Sequence, residues 1–237
     1  MEHFDDLIAA NRILAAHGVI DAYGHVSLRS PDNPQRYYLA SSIAPELVQL
    51  EDIIEYDLDS RPLNDAGRES VRERYIHGEI YKTRPDVMAV VHNHSPSVIP
   101  FSVTGVPMRA LFHMAAFVGD GLPNFEIRDV QKGTDLLVKT AVLGKALAST
   151  LSDKPAALMR GHGAVVVGES LPRAVGRSVY LEQSARLQMQ ALLLAQGGKI
   201  TYLDKAEVKA SMPIQDYKRA WPLWRAKALA RAKAERR

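Results

Sequence analysis

The sequence predicts a single α/β domain with a helical C-terminal extension beginning near residue 199. Three observations lead there. Short apolar runs bounded by turn residues (87–91, 156–159 and 161–168) alternate with longer segments of helical periodicity, such as 4–16 and 171–196. No linker-like, repetitive or low-complexity stretch divides the 237 residues, a length that supports one sizeable core. The strands are not each followed by a helix, and no phosphate-cradling glycine fingerprint follows a strand, which argues against a dinucleotide-binding arrangement.

In chain order, Phe4, Leu7, Ile8, Ile13 and Leu14 have the spacing of an amphipathic helix ending near Gly18. Residues 26–29 and 36–40 read as strands around the turn Pro31-Asp32-Asn33-Pro34. A third strand, 51–57, closes at Asp59-Ser60-Arg61-Pro62. Residues 69–82 are expected to be helical, and Arg84-Pro85-Asp86 stops them before the apolar run 87–91. Ser95-Pro96 has the form of an N-cap followed by proline at the first helical position. A long helix is expected over 130–151. Another is expected over 171–196, ended by Gly197-Gly198 in the manner of a glycine C-cap.

Composition narrows the function classes. With 46% hydrophobic and 24% charged residues the chain reads as an ordinary soluble globular protein. No apolar stretch approaches the length that spans a bilayer. The acidic start, Met1-Glu2-His3-Phe4-Asp5-Asp6, lacks the basic and apolar regions of a signal peptide, so a cytoplasmic protein is expected. The absence of cysteine excludes disulfides and thiolate metal ligands, which leaves His, Asp and Glu to hold any metal. The net charge of +3 is concentrated at the C-terminus, where Arg225, Lys227, Arg231, Lys233, Arg236 and Arg237 alternate with alanines. No aromatic residue follows Trp224 to stack on bases, so the segment reads as a solvated terminal helix and not as a nucleic-acid or membrane-binding tail.

The chemistry-bearing residues are His92 and His94, two apart at the end of the run 87–91, and His162, between Gly161 and Gly163 after the run 156–159. Alternate residues of a strand point the same way, so His92 and His94 converge on one point. Glycines on either side let the backbone carrying His162 turn sharply and approach other groups closely. Three neutral imidazoles arranged in this way form a tripod for a catalytic divalent ion, with positions left for substrate. The expected cofactor is one divalent metal per subunit: Zn, Mn, Fe or Co. Glu73 and His77 are four apart, on one face of the expected helix 69–82. Glu73 reads as a fourth ligand, as an acid or base acting on bound substrate, or as a surface partner of Arg72, Arg74 or His77.

Five segments in order, Gly24-His25-Val26-Ser27-Leu28-Arg29, Glu73-Arg74-Tyr75-Ile76-His77, Arg84-Pro85-Asp86, His92-Asn93-His94 and Gly161-His162-Gly163, resemble the class II aldolase/adducin family. The resemblance runs from Gly24 to about Gly198. It implies a three-layer α/β/α fold around a mainly antiparallel sheet, metal ligands at His92, His94 and His162, and a catalytic Glu73. It also implies a C4 homotetramer with active sites between subunits, and substrate contacts at His25, Ser42 and Arg72.

The departures from the family's sugar-phosphate aldolases shape the functional expectation. His25 stands where those enzymes carry Asn, and Val71-Arg72 stand where they carry two serines that help hold a phosphate. Valine donates no hydrogen bond, whereas the arginine fork suits a planar carboxylate. His113, within Phe112-His113-Met114, takes the position of a tyrosine acid supplied by a neighbouring subunit. These features resemble the branch that decarboxylates dihydroxyphthalate and hydroxypyridine dicarboxylates, which also includes prenyl-hydroxyphenylpyruvate oxygenases. The expected activity is metal-dependent, non-oxidative decarboxylation of a hydroxylated aromatic or heteroaromatic acid in aromatic catabolism, with Glu73 or His113 protonating the ring carbon. The alternatives are aldol cleavage with Glu73 as base, and a non-catalytic adducin-like interaction module. The small-molecule partner is a hydroxy-carboxylate, and neither nucleic acid nor membrane is expected.

Overall fold

Side chains on a strand alternate between the two faces of a sheet, so a short strand buried on both sides must be apolar in both registers. The computed structural model describes residues 2–235 and shows this pattern in a seven-stranded sheet with helices on both faces. The strands are β1 (His25–Arg29), β2 (Arg36–Ala40), β3 (Ile53–Asp57), β4 (Ala89–Asn93), β5 (Asn124–Phe125), β6 (Ala156–Met159) and β7 (Gly163–Gly168). Their order across the sheet is β3-β2-β1-β4-β7-β6-β5, antiparallel throughout except for the edge pair β5–β6.

One face carries Val26, Leu28, Ala89, Val91, Ala164 and Val166, which pack with residues of α1 (Glu2–Ala16) and α5 (Leu171–Ala195). The other carries Tyr37, Leu39, Ile54, Val90, Val165 and Val167. These pack with Ile76 and Ile80 of α2 (Tyr75–Thr83) and Leu143 and Leu147 of α4 (Ala141–Leu151). The result is the expected three-layer α/β/α arrangement around a mainly antiparallel sheet.

Several boundaries differ from the sequence expectation. Leu50–Asp52 forms a 3-10 turn, so the third strand starts at Ile53 and not at 51. The segment 69–74 is not α-helical: Arg72–Arg74 is a 3-10 turn in which Glu73 adopts φ −89° and ψ 19°, and α2 begins only at Tyr75. Ser95 does not cap a helix. Its carbonyl accepts from the Val98 and Ile99 amides in a turn, and the short α3 runs Ile99–Thr104. The expected helix over 130–151 begins only at Ala141, because Thr140 is its N-cap, accepting from the Leu143 amide. Residues 161 and 162 form a turn before β7, and α5 ends at Ala195, with Gln196 and Gly197 both left-handed.

Beyond α5 lie α6 (Lys205–Ser211) and α7 (Ala220–Glu235). The last helix is not merely solvated. Trp221, Trp224 and Ala228 recur on one face and pack toward the core, the Trp224 ring lies 5.0 Å from His17, and Arg225 pairs with Asp6 of α1. Of the basic C-terminal residues, Arg236 and Arg237 and the side chain of Lys233 lie outside the described residues. No helix among the described residues is long and apolar enough to cross a membrane.

Candidate metal centre and active site

The antiparallel pairings bring the start of β1, the end of β2, the end of β4 and the start of β7 to one end of the sheet. His92 is the penultimate residue of β4, and His94 follows one residue after the strand. The β6–β7 hairpin places His162 beside them. Its loop is tight because Gly161 takes φ +65°, a left-handed conformation that strains other residues. Gly163 has a different reason. A Cβ there would stand 1.9 Å from the Asn93 carbonyl oxygen, so β4 and β7 can approach this closely only with glycine.

Glu73 completes the group from the 3-10 turn ahead of α2. One ligand atom from each of Glu73, His92, His94 and His162 lies within 4.8 Å of the others. Glu73 Oε2 is 3.5 Å from His92 Nε2 and 3.6 Å from His162 Nε2, and the Nε2 atoms of His94 and His162 are 3.1 Å apart. The ring orientations are set from behind. His92 Nδ1 donates to the Ala164 carbonyl at 3.2 Å and His162 Nδ1 donates to the Leu136 carbonyl at 2.9 Å. Both Nε2 atoms are therefore lone-pair donors pointing inward, as metal-binding imidazoles require.

Electrostatics agree with this assignment. Burial, followed by the neighbouring His92 and His162 imidazoles, lowers His94 to about 4, and burial also lowers His162. Burial opposes ionisation of Glu73, but His92, His162 and the Val138 amide outweigh it and bring the carboxyl to about 2. Neutral His94 and His162 and an ionised Glu73 are the protonation states in which these groups bind a cation. The buried His92 Nε2 has no hydrogen-bond partner among the described residues. A divalent metal would satisfy this orphaned lone pair, and the N and O donors around it suit one.

The structure thus brings together the three predicted ligands and Glu73. His25 lies beside them: it pairs across the β1–β4 ladder with His92, and their rings are 5.1 Å apart. Burial first, then the surrounding imidazoles, push the His25 pKa well below the usual histidine range. Arg72, adjacent to Glu73 in the 3-10 turn, is exposed and has no ion-pair partner among the described residues. Ser42 is exposed just past β2, with its amide on the Glu69 carbonyl at 2.8 Å. His113 is exposed at the start of the 3-10 segment His113–Val118 and shares no hydrogen bond or ring contact with the cluster among the described residues. A cavity of about 660 Å³ opens at the opposite end of the sheet, between Arg84, Val87, Val118, Gly168, Arg177 and Lys209, away from this chemistry.

Sequence reasoning missed the groups that hold the candidate ligands in place. The segment Leu136–Val138 grips two of them, His162 through the Leu136 carbonyl and Glu73 Oε1 through the Val138 amide at 2.8 Å. Leu136 does so at φ +69°, a conformation that non-glycine residues adopt mainly where surrounding contacts impose it. Reading 130–140 as helix hid this, although Thr140 ahead of an apolar helical run was the visible signal for a later start. Glu182, buried on α5, accepts from the Ser97 amide at 3.0 Å and the Ser97 hydroxyl at 2.6 Å, anchoring the turn that follows His94. The Ser102 hydroxyl accepts from the Gly161 amide at 2.9 Å.

Comparison with known proteins adds an independent observation. The family model described as Class II Aldolase and Adducin N-terminal domain matches residues 5–189. Decarboxylase TropJ of Talaromyces stipitatus is 34% identical to this chain, across 92% of it and 90% of the relative. A 3,4-dihydroxyphthalate decarboxylase of Arthrobacter keyseri is 29% identical, across 86% of this chain and 83% of the relative. Among solved structures, L-fuculose 1-phosphate aldolase from Glaciozyma antarctica superposes with a TM-score of 0.74 at 23% identity, over 95% of this chain and 86% of its own, a likeness of fold.

Proposed function

The chain belongs to the class II aldolase and adducin family, and from that premise we propose that it is a divalent-metal-dependent lyase that removes CO2 from a hydroxylated aromatic or heteroaromatic carboxylic acid. The observation that carries this reading is the set Glu73, His92, His94 and His162 with His25 directly beside it. Two of its relatives being decarboxylases supports it. An adducin-like interaction module gives no reason to keep an orphaned imidazole lone pair and an ionised carboxylate buried together.

His92, His94 and His162, with Glu73 adjacent, would hold the metal, which supplies Lewis-acid stabilisation of negative charge developing on a substrate oxygen. The remaining chemistry falls to side chains. Glu73 Oε2, ionised when substrate arrives, takes the ring-hydroxyl proton and returns it to the ring carbon as the bond to CO2 breaks, while Oε1 stays fixed on the Val138 amide. With one oxygen held and the other free, the carboxylate keeps a single orientation toward substrate. Arg72, one residue away and exposed, is the group to receive a substrate carboxylate through its fork of donors. Ser42 sits at the same end of the sheet as a further polar contact. His113, exposed and remote from its own cluster, is assigned to the site of a neighbouring copy in a homotetramer.

Incubation of metal-loaded enzyme with a panel of hydroxylated aromatic dicarboxylates, including 3,4-dihydroxyphthalate, with CO2 and aldehyde release recorded in parallel, tests the proposal. Release of CO2 without aldehyde is expected. Aldehyde release from phosphorylated sugars, with no CO2 from any ring acid, overturns it in favour of aldol cleavage.

A further inference from the structure

Behind His25 runs a continuous buried chain of polar groups that the proposed chemistry does not use. His25, Ser27 and Arg29 alternate along β1 on the face that α2 covers, while His77 and Tyr81 stand four apart on α2. Ser27 and His77 are fully buried and Tyr81 is 1% exposed. His25 Nδ1 and His77 Nε2 are 2.7 Å apart, His77 Nδ1 and Ser27 Oγ are 2.6 Å apart, and Ser27 Oγ and Tyr81 Oη are 2.8 Å apart. Three short hydrogen bonds in series, shielded from water, constrain one another, because each group can donate only in the direction its neighbour leaves open.

The direction follows from the far end. Either hydroxyl can donate in the 2.8 Å bond between Ser27 Oγ and Tyr81 Oη, but if Ser27 donates, the buried Tyr81 proton is left with only the Met88 carbonyl at 3.5 Å, so the better-satisfied polarity has Tyr81 donating to Ser27. Ser27 then donates to His77 Nδ1, so the single proton of neutral His77 lies on Nε2 and is donated to His25 Nδ1. His25 must carry its own proton on Nε2, the ring nitrogen not held by the chain. With that polarity, His25 is a donor on the side of the ring away from α2.

We propose that Tyr81, Ser27 and His77 are positioning residues that hold His25 in the Nε2–H form, making His25 a dedicated hydrogen-bond donor to an anionic oxygen of the substrate. The inference rests on the substrate reading above and sharpens it. A substrate that presents a carboxylate or phenolate oxygen to His25 is matched, and one that presents a donor there is rejected. An asparagine at position 25 presents a donor or an acceptor by flipping its amide, whereas a histidine fixed from behind offers only the donor.

The test is the tautomer itself. Full-length protein with 15N-labelled histidine, loaded with diamagnetic Zn²⁺, is observed by long-range 1H–15N correlation, with His25 assigned through His25→Gln. In wild type the His25 Nε2 is expected to carry the proton. In Ser27→Ala the chain is cut, and His25 is expected to become a mixture of tautomers, with binding of phthalate, used as an unreactive dianion, weakened about 3- to 10-fold, the worth of one hydrogen bond. If Ser27→Ala fails to fold, Tyr81→Phe removes the first donor and decides the matter on the same terms. A wild-type His25 protonated on Nδ1, or a tautomer unchanged when the chain is cut, overturns the inference. Neither readout needs turnover. Failure of ring acids to release CO2 would therefore strike the decarboxylase reading alone, while an Nδ1–H His25 in an active decarboxylase would strike this one alone.

Discussion

His94 Nε2 and His162 Nε2 face each other across 3.1 Å, although 68 residues separate them in the chain. Because the Leu136 carbonyl takes the His162 Nδ1 proton, the His162 nitrogen in this contact presents a lone pair. The proposed divalent cation would draw the imidazole nitrogens of this cluster to itself. Replacing His92, His94 or His162 by Ala is therefore expected to abolish stoichiometric metal binding and activity together, with far-UV circular dichroism unchanged. Full metal occupancy in all three single variants, measured by elemental analysis, would contradict the centre.

Glu73→Gln separates ligand from acid/base. The amide keeps the shape and leaves the metal in place on three imidazoles, but it neither takes nor gives a proton. Turnover is expected to fall by about 10²-fold or more with metal content and substrate affinity largely retained. Loss of the metal instead identifies Glu73 as a ligand first, and near-normal turnover excludes both roles.

Arg72→Lys probes how substrate is chosen. The side chain is exposed and unpaired among the described residues, so its loss disturbs little of the fold. A bidentate carboxylate contact does not survive replacement by ammonium. kcat/KM for an aromatic dicarboxylate is expected to fall about tenfold, with metal content unchanged, and unaltered kinetics remove Arg72 from the site.

Gly163→Ala tests the main-chain approach at the centre of the sheet. With a Cβ 1.9 Å from the Asn93 carbonyl oxygen, β4 and β7 must part. The unfolding free energy is expected to drop by about 2 kcal/mol or more in urea, with metal affinity falling alongside. A wild-type unfolding midpoint would show that the two strands have room to spare.

Glu182→Ala leaves the Ser97 amide and hydroxyl without their partner in the turn after His94. Groups that orient a ligand from behind commonly govern metal affinity by about 10- to 100-fold. A loss of about tenfold in Zn²⁺ affinity is expected, read by competition with a chelator. Unchanged affinity with lowered stability confines Glu182 to a structural role.

The clustering of the candidate ligands was legible in the sequence because their signals are local. His92 and His94 ride on strand alternation, and His162 is flagged by the glycines beside it. The other strands were legible for the same reason, to within a residue or two, but the two-residue edge strand β5 was not anticipated, because its place is set by pairing with β6. What stayed hidden depends on partners distant in sequence. Glu73 and His77 are four apart, but the turn at Glu73 is not α-helical. Glu73 meets His92 and His162 while His77 meets His25 and Ser27, so one helix face was the wrong frame. The stretch 130–140 has enough apolar residues to suggest a helix. It is instead drawn out by the backbone bonds that Leu136 and Val138 make to the site, a tertiary demand that no local pattern states. The polar series His25, Ser27 and Arg29 was visible as an alternation, yet its meaning depended on α2 presenting His77 and Tyr81 to it.

The contact between Gly163 and the Asn93 carbonyl has a consequence for substitution around the site. It ties the gap between the His92–His94 pair and His162 to the spacing of two main chains, which surface substitutions do not alter. The candidate substrate contacts 25, 42 and 72 come from other segments and do not set that gap. Substitution at those positions is therefore expected to change what is bound while the spacing of His92, His94 and His162 stays as it is.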